Sequence, residues 1–309
     1  DALPLPETKR LVTTGGHYAY LKIAEGCDKH CTYCIIPKVR GNYRSVPMER
    51  LIKEAQELAD QGVKELILVA QETTVYGQDI YGEKSLHKLL KELCQIKGIR
   101  WIRLLYCYPE EIDANLIRVM KEEPKICHYL DLPIQHASDA ILKKMGRRTS
   151  KAQLVDTIRT LREEIPDITL RTTLITGFPG ETEEDFEETM DIVRKVRYDS
   201  VFTFIYSKRT GTPAAVMEDQ IPEDVVKNRF DRLLKEVHTI AAEVCAVHEG
   251  SIQTALIESV SEHDPSMVTG RLSNNLLVHI KGDKGMIGRL ADVRLTECKG
   301  FYYLGELAE

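Results

Sequence analysis

Short apolar segments alternate with longer amphipathic segments along most of this chain. The short segments are rich in β-branched residues and show little alternation of polar and apolar positions, which is typical of strands buried in a parallel sheet. We predict six such strands, at Ala19–Ala24, Glu65–Ala70, Ile99–Leu105, Tyr129–Leu132, Thr169–Thr176 and Ser200–Ile205.

The segments between these strands carry apolar residues at helical spacing. Helices are predicted after Pro47 with an end at Gly62, around Leu86–Leu93, before Pro124, after a cap at Ser150, after a Thr182–Asp185 capping box, and after Pro222. Repeated strand–helix units predict an α/β fold with a parallel sheet, either curled or open. Functional residues are then expected at the carboxyl ends of the strands.

After Gly250 the pattern changes to short strands separated by glycines. They are predicted at Ile252–Glu258, Met267–Leu272, Leu276–Ile280, Arg289–Thr296 and Phe301–Leu304. Five short strands in so few residues predict a small all-β barrel. We therefore expect an irregular lead-in at 1–17, an α/β domain with a terminal linker helix at 18–247, and the barrel at 248–309.

Composition and charge narrow the possible functions. The 309 residues carry a net charge of −6, which argues against a protein that coats nucleic acid non-specifically. No apolar run approaches the roughly 20 residues of a membrane helix, so no membrane partner is expected. The barrel segment holds six basic and nine acidic residues, which favours a basic protein partner over RNA, although a merely solvated surface would look the same.

Three cysteines follow the first predicted strand as a CxxxCxxC loop, Cys27, Cys31 and Cys34, with Tyr33 just before the last. Three thiolates on so short a loop can bind three irons of a 4Fe–4S cluster and leave the fourth iron without a protein ligand. The alternatives are a structural zinc site, for which a second ligand pair is missing, and three free thiols.

The other five cysteines, Cys94, Cys107, Cys127, Cys245 and Cys298, are scattered singly, as buried small apolar residues usually are. One tight cluster plus single cysteines predicts a reduced, cytoplasmic setting with a metal or cluster site and no disulfide framework.

The cysteine loop after the first strand of a βα series resembles the radical S-adenosylmethionine (SAM) superfamily. The resemblance implies a partial (β/α)6 barrel, a 4Fe–4S cluster on Cys27, Cys31 and Cys34, and SAM bound through its amino and carboxylate groups to the open iron. An electron from the cluster would then cleave SAM to methionine and a 5′-deoxyadenosyl radical, and Tyr33 would lie near the adenine.

Two other strand ends carry polar residues. Gln71 follows the second strand, where many superfamily members have Gly-Gly-Glu, so it is a candidate for the SAM amino group. Gln135 and Ser138 follow the fourth strand, where the superfamily commonly meets the ribose or methionyl part of SAM. The alternative for Ser138 is an ordinary helix cap.

The segment 174–182 ends the fifth strand and reads LITGFPGET. Its glycines permit a tight turn and a close backbone approach to a ligand, and taken alone it is an ordinary strand-to-helix turn. Beside the cysteine loop it resembles the adenine-contacting segment of the superfamily, with Ile175, Gly177 and Glu181 as SAM-binding candidates.

Three stretches sharpen the resemblance to the methylthiotransferases, which also carry a TRAM-type barrel: 17–41, 130–147 and 172–186. One branch modifies adenosine in tRNA; the other, the RimO type, modifies the β-carbon of an aspartate in ribosomal protein twelve of the small subunit. The segments 131–138 and 17–22 resemble the second branch more closely. The implied partners are a basic ribosomal protein, contacted by the acidic barrel, and an electron donor such as flavodoxin, with tRNA less favoured.

One feature departs from that family. Methylthiotransferases carry an amino-terminal domain with three further cysteines for a second cluster, and nothing before Cys27 supplies them. The expectation is a truncated form that binds one cluster and cleaves SAM but does not complete sulfur insertion unaided. The non-enzyme alternative is a zinc-stabilised interaction module.

Overall fold

The computed structural model describes residues 14–262 and 264–308, so most of the expected lead-in lies outside the described residues. The elements up to residue 246 are, in chain order, β1 (Tyr18–Lys22), β2 (Ala24–Glu25), α1 (Ile36–Arg40), β3 (Arg44–Ser45), α2 (Met48–Asp60), β4 (Glu65–Val69), α3 (Gln78–Tyr81), α4 (Leu86–Gln95), β5 (Trp101–Leu104), α5 (Ala114–Glu122), β6 (Ile126–Asp131), α6 (Asp139–Lys144), α7 (Lys151–Glu164), β7 (Thr169–Thr176), α8 (Glu183–Val196), β8 (Ser200–Ile205) and α9 (Glu223–Ala246).

Six of these strands form one parallel sheet in the order β1-β4-β5-β6-β7-β8, which confirms the predicted α/β partial barrel. Each connection with its helices carries the chain back to the amino ends of the strands in a right-handed crossover, and the next strand pairs beside the previous one. The order of the strands in the sheet therefore follows the chain. β2 and β3 form a separate antiparallel pair that frames the cysteine loop. The carboxyl ends of the six strands therefore meet at one edge.

Local sequence signals set several helix starts. Thr182 forms the predicted capping box with Asp185, and Ser150, predicted as a cap, forms a capping box with Gln153. The helices bury their apolar faces against the sheet, and the resulting core runs from β1 through α9. The predicted helix positions are thus confirmed, with ends within a few residues.

The last two strands differ from the expected fully buried pattern. β7 alternates buried and half-buried residues, and β8 leaves Phe202 and Phe204 about half exposed, at 48% and 54%. The reason is that the described sheet does not close: β8 is an edge strand, and inward side chains there face a cavity.

Beyond α9 the described residues form a closed five-stranded barrel in the order β10-β11-β13-β12-β9, as predicted. Its strands are β9 (Ile252–Val260), β10 (Met267–Leu272), β11 (Leu277–Lys281), β12 (Leu290–Cys298) and β13 (Tyr302–Leu307). Every pairing is antiparallel except that of β11 with β13. A separate apolar core fills the barrel.

Buried charges join the barrel to the sheet. Glu65 at the start of β4 and Arg103 in β5 are both fully buried and form an ion pair with an Nε–Oε1 distance of 2.7 Å. Arg103 also donates to the backbone carbonyls of Leu272 and Ser273, and Arg271 of β10 bonds Glu65. The strands β4 and β5, both predicted as apolar, therefore carry the charged residues that contact the barrel.

A disulfide corrects one prediction. Cys245, in the last turn of α9, is bonded to Cys298, the last residue of β12. They looked single in the sequence because 53 positions separate them, and only the return of β12 to the end of α9 brings them together. Cys94, Cys107 and Cys127 are free and buried, as expected. Within the described residues, no helix is both long and apolar enough to cross a bilayer.

Candidate functional site

The cysteine loop begins where β2 ends and is fixed by backbone hydrogen bonds from three directions. Cys27 N donates to the Gly41 carbonyl at 3.2 Å, and Thr32 N donates to the Met145 carbonyl at 2.9 Å. Gly26 N donates to Oε1 of Gln71 at 2.7 Å, so the side chain at the end of β4 ties the loop to the sheet edge. The loop is therefore held in place by the protein itself.

The three thiols are largely removed from solvent. Cys27 and Cys31 are buried, and Cys34 is half-buried. Burial raises the pKa of Cys27 to about 11 and also raises the pKa of Cys34, and the charge of Cys31 acts on both in the same direction. A thiolate at these positions thus requires a nearby positive charge, such as that of bound iron.

A cavity of about 640 Å³ opens at the carboxyl edge of the sheet next to the loop. Six residues singled out in the sequence line it together with further strand-end side chains; these six are Cys31, Tyr33, Cys34, Gln71, Gln135 and Ile175. The structure therefore brings together residues from the loop and from the ends of β4, β6 and β7, as the rule for parallel sheets requires.

Gln135 adopts a strained backbone conformation in this wall, with φ of +71°. Its N–H donates to the Thr173 carbonyl and its carbonyl accepts from Ile175 N, each at 2.8 Å. These bonds extend the pairing of β6 with β7 beyond the strand and turn the Gln135 side chain into the cavity wall.

Ser138, Gly177 and Glu181 are placed behind the wall and do not line this cavity. The Ser138 hydroxyl caps α6 and donates to Asp185, so the helix-cap interpretation describes its contacts. Glu181 accepts from Gly177 N at 2.7 Å and pairs with Arg229 at 3.0 Å. Gly177 has φ of +73° and packs against Val226 of α9. These residues shape the turn after β7.

Arg147 is a feature of the site that sequence reasoning did not single out. Its guanidinium lies 4.2 Å from the ring centre of Tyr108 and pairs with Glu110 at 3.0 Å. Nε and Nη1 are buried without a hydrogen-bond partner among the described residues. Burial alone would lower the pKa of Arg147, but Glu110, Tyr33, Tyr108 and Cys31 together raise it. A permanent cation with unused donors thus lies beside the cysteine loop.

Tyr108 links this cation to the cysteines. Its hydroxyl is 3.6 Å from Sγ of Cys31, and burial strongly raises its pKa, so the phenol stays neutral. Neither Tyr108 nor Arg147 carries a sequence signal, because an arginine after a short helix and a tyrosine after a strand are ordinary in exposed loops.

Cys27 faces a second cavity of about 360 Å³ on the other side of the loop. Glu72 lines it and is 1% exposed; its Oε2 has no hydrogen bond and lies 3.7 Å from Lys29 Nζ. Burial raises the pKa of Glu72 to about 7. The loop is therefore accessible from two sides, with Cys31 and Cys34 toward the larger cavity.

Comparison with known families gives two matches along the chain. The Radical SAM superfamily matches residues 21–193, and the TRAM domain matches residues 246–308. The first range contains the cysteine loop and the ends of β4, β6 and β7; the second is the closed barrel.

Curated relatives extend this similarity over the chain. The ribosomal protein uS12 methylthiotransferase RimO of Lachnoclostridium phytofermentans is 54% identical, with 99% of this chain and 70% of that protein covered. The tRNA-2-methylthio-N(6)-dimethylallyladenosine synthase of the same organism is 46% identical, with 94% and 64% covered. RimO of Clostridium perfringens strain 13 is 52% identical, with 82% and 57% covered. The chain thus spans between 57% and 70% of the length of these three relatives.

Two solved structures share the fold. Coproporphyrinogen III oxidase (HemN) from Escherichia coli gives a TM-score of 0.54 at 18% identity, with 74% of this chain and 54% of that chain covered. The methyltransferase TsrM from Kitasatospora setae, with cobalamin and a [4Fe-4S] cluster bound, gives 0.54 at 17% identity, with 64% and 36% covered. At these identities the likeness concerns the fold alone.

Proposed function

The chain belongs to the radical SAM superfamily and, within it, to the methylthiotransferases, and from this we propose that it binds a 4Fe–4S cluster and SAM to modify an aspartate of ribosomal protein uS12. The observation that carries the proposal is the position of the cysteine loop: three thiols lie at the carboxyl edge of a parallel partial barrel, and two of them face a cavity of about 640 Å³.

The donor set fits a cluster. Cys27, Cys31 and Cys34 are the thiols that would bind it, and the positive charge of iron would offset the raised pKa values of Cys27 and Cys34. A tetrahedral zinc site needs a fourth protein ligand beside these three thiols, and the sequence offers no second short-spaced pair of Cys or His for it. We therefore favour the cluster over the zinc-stabilised module.

The cavity wall offers complementary groups for SAM. When bound, the cluster and SAM together supply the radical chemistry of the superfamily. We propose that Arg147, which lies against Tyr108 outside the cavity wall, attracts the SAM carboxylate by its charge, because Nε and Nη1 are buried beside the loop without hydrogen-bond partners among the described residues. Tyr33, packed edge-on against Phe178 at 6.4 Å between ring centres, would lie against the adenine. Gln135 and Ile175 complete this wall.

Gln71, Ser138, Gly177 and Glu181 remain SAM-binding candidates, but their contacts support a positioning role. Gln71 already accepts from Gly26 N, and the Glu181 carboxylate is fully engaged with the turn and with Arg229. They would hold the loop and the turn after β7 in a shape that admits the cofactor.

The substrate follows from similarity and charge. Of the two relatives from Lachnoclostridium phytofermentans, the one named for uS12 is 54% identical and the one named for tRNA is 46% identical; the barrel also carries a net charge of −3, which suits a basic ribosomal protein. We place the boundary of the barrel domain near residue 247. An electron donor such as flavodoxin in the cytoplasm is the partner that a reducible cluster requires. Because Cys245 and Cys298 form a disulfide, the pattern of cysteines no longer argues for the cytoplasm. The proposal of a cytoplasmic location now rests on the cluster alone.

Anaerobic reconstitution with iron and sulfide tests the cofactor. We expect about four irons per chain and, after reduction with SAM present, formation of 5′-deoxyadenosine. Cys31→Ala should abolish the formation of 5′-deoxyadenosine and most of the iron binding. Cys94→Ala, which replaces a buried free cysteine of α4, should retain both. A colourless chain with stoichiometric zinc would contradict the proposal.

Binding assays test the substrate. Purified uS12 should bind the reconstituted chain, and bulk tRNA should bind more weakly at physiological salt. Tight tRNA binding that weakens steeply with salt would instead favour the adenosine-modifying branch.

A further inference from the structure

Arg171 of β7 projects into the same cavity from the strand that forms its floor. It lies between the buried residues Leu170 and Thr172, and its side chain is 14% exposed. It lines the large cavity, and on its other side it lines a small space of about 210 Å³ that reaches the barrel loop at Asn275. Arg171 therefore stands at the bottom of the cavity.

The guanidinium is fixed in orientation by its neighbours. Nε donates to Oδ1 of Asp131 at 3.0 Å, and Oδ2 of Asp131 accepts from Tyr106 N at 3.0 Å. The centre of the guanidinium lies 4.7 Å from the Phe202 ring and 5.7 Å from the Tyr129 ring. A salt bridge at one edge and aromatic faces around it leave the side chain little freedom.

The other edge of the fork is unused. No hydrogen bond joins either Nη group of Arg171 to any residue in the described part of the chain, although the side chain is mostly buried. A fork with two free N–H groups and a fixed plane is the geometry that recognises a carboxylate through two parallel hydrogen bonds. A neutral amide cannot accept both bonds in this way.

SAM also carries a carboxylate, but a different cation suits it better. That cation is Arg147, which lies beside Cys31 and Tyr33, so that its charge acts directly on the cysteine loop. Arg171 has no comparable interaction with any of the three cysteines and instead contacts Asp131, Tyr129 and Phe202. The two arginines thus lie in different places: Arg171 is in the wall of the cavity, and Arg147 lies outside that wall, against Tyr108 beside the cysteine loop.

The cavity is also open enough for a polypeptide. Phe202 and Phe204 lie about half exposed on the edge strand β8, with Phe202 against the Arg171 guanidinium, and Tyr106, which also lines the cavity, is 48% exposed. Partly exposed aromatic side chains around a polar floor are typical of a site that receives a protein segment.

Building on the proposed function, we propose that Arg171, held by Asp131, is the specificity-determining residue that binds the side-chain carboxylate of the substrate aspartate. Phe202 and Phe204 would contact the apolar part of the inserted segment, and the acidic barrel would attract the basic remainder of the protein. The site would thereby select aspartate over asparagine within the same sequence.

The test measures binding of the reconstituted, SAM-loaded chain to uS12 and to uS12 with Asn in place of the target aspartate. We expect the unaltered chain to bind the Asp form about tenfold or more tightly, since a site built for hydrogen bonding rejects an analogue that leaves its donors unpaired. Arg171→Gln should reduce this ratio to about one, and Arg171→Lys, which keeps the charge but loses the fork, should give an intermediate ratio.

Arg159→Gln is the matched control, because Arg159 is an exposed arginine of α7 far from the cavity floor, and it should leave the ratio unchanged. Iron and sulfide content of each variant reports whether the loop has folded. A wild-type ratio near one, or a ratio that persists in Arg171→Gln, overturns the role of Arg171 while the proposed function stands. Failure to bind either form of uS12 overturns both.

Discussion

Glu65 of β4 and Arg271 of β10 meet across the junction of the two units, with 2.9 Å between Oε2 and Nη2. Arg103 binds the other oxygen of Glu65 and reaches two carbonyls of the barrel, so one carboxylate connects two arginines. The guanidinium of Arg271 also lies 5.1 Å from the Tyr18 ring and bonds Glu258. Charged groups that are removed from water are tolerated there only because each has partners.

Arg103→Ala should therefore be strongly destabilising. It leaves Glu65 with one cation fewer and leaves the carbonyls of Leu272 and Ser273 without their donor, at a cost of about 3–5 kcal/mol in the free energy of unfolding. Urea denaturation measures this. Arg159→Ala, which removes an exposed arginine from α7, is the control and should hardly change the midpoint. A loss below about 1 kcal/mol for Arg103→Ala would show that the network is not structural.

The disulfide predicts a dependence on reductant. Cys245–Cys298 closes a loop with a sequence separation of 53, which should contribute about 2–4 kcal/mol to the free energy of unfolding. Dithiothreitol should lower the unfolding midpoint of the wild-type chain and leave that of Cys298→Ser unchanged. Equal sensitivity of both proteins to the reductant would mean that the bond does not form in solution.

Asp199, just before β8, predicts a pH dependence. Burial raises its pKa above the unfolded value of about 3.9, so between these two values the folded chain holds more protons than the unfolded chain. Its contribution to stability is thus greatest below about pH 4 and falls as the pH rises. Asp199→Asn keeps an acceptor for Leu170 N and should gain stability relative to wild type across that range in pH-dependent unfolding.

Asp264 is the control, because its pKa is shifted in the opposite direction to that of Asp199. Its hydrogen bond with Ser266 lowers its pKa, so the Asp264 carboxylate stabilises the folded chain increasingly as pH rises above the folded pKa. Asp264→Asn should lose stability relative to wild type over the acidic range. A difference for Asp199→Asn that does not vary with pH would contradict its raised pKa.

Gly177 predicts a local packing effect next to the site. A Cβ there would lie 2.6 Å from Cγ2 of Val226, in addition to the cost of a positive φ. Gly62 also has a positive φ but nothing within 4 Å, so Gly62→Ala measures the backbone cost alone, about 1 kcal/mol. Gly177→Ala should cost about 1–3 kcal/mol more in urea denaturation, because Val226 is held in α9. Equal losses in the free energy of unfolding for the two variants would show that Val226 and α9 shift to make room for the added Cβ at no cost.

Much of the fold could be predicted because its signals are local. β7 and β8 have the predicted ends, and the capping boxes at Ser150 and Thr182 open the predicted helices. The CxxxCxxC spacing and the family resemblance together named Cys31, Cys34, Gln135 and Ile175, which the structure brings into the wall of one cavity; their roles as ligands stay predictions. Arg147 and Arg171 were not predicted, since a single arginine in sequence does not reveal whether its donors are used.

The sequence by itself determined the alternation of strands and helices, the change to a barrel after Gly250, and the cysteine loop, because each depends on residues close together in the chain. Only the tertiary structure decided that Cys245 binds Cys298, that Glu65 connects two arginines, that Arg171 lines the large cavity, and that Arg147 lies against Tyr108 beside the cysteine loop. Such contacts arise between distant segments, and their energies depend on burial and on partners that no local pattern specifies.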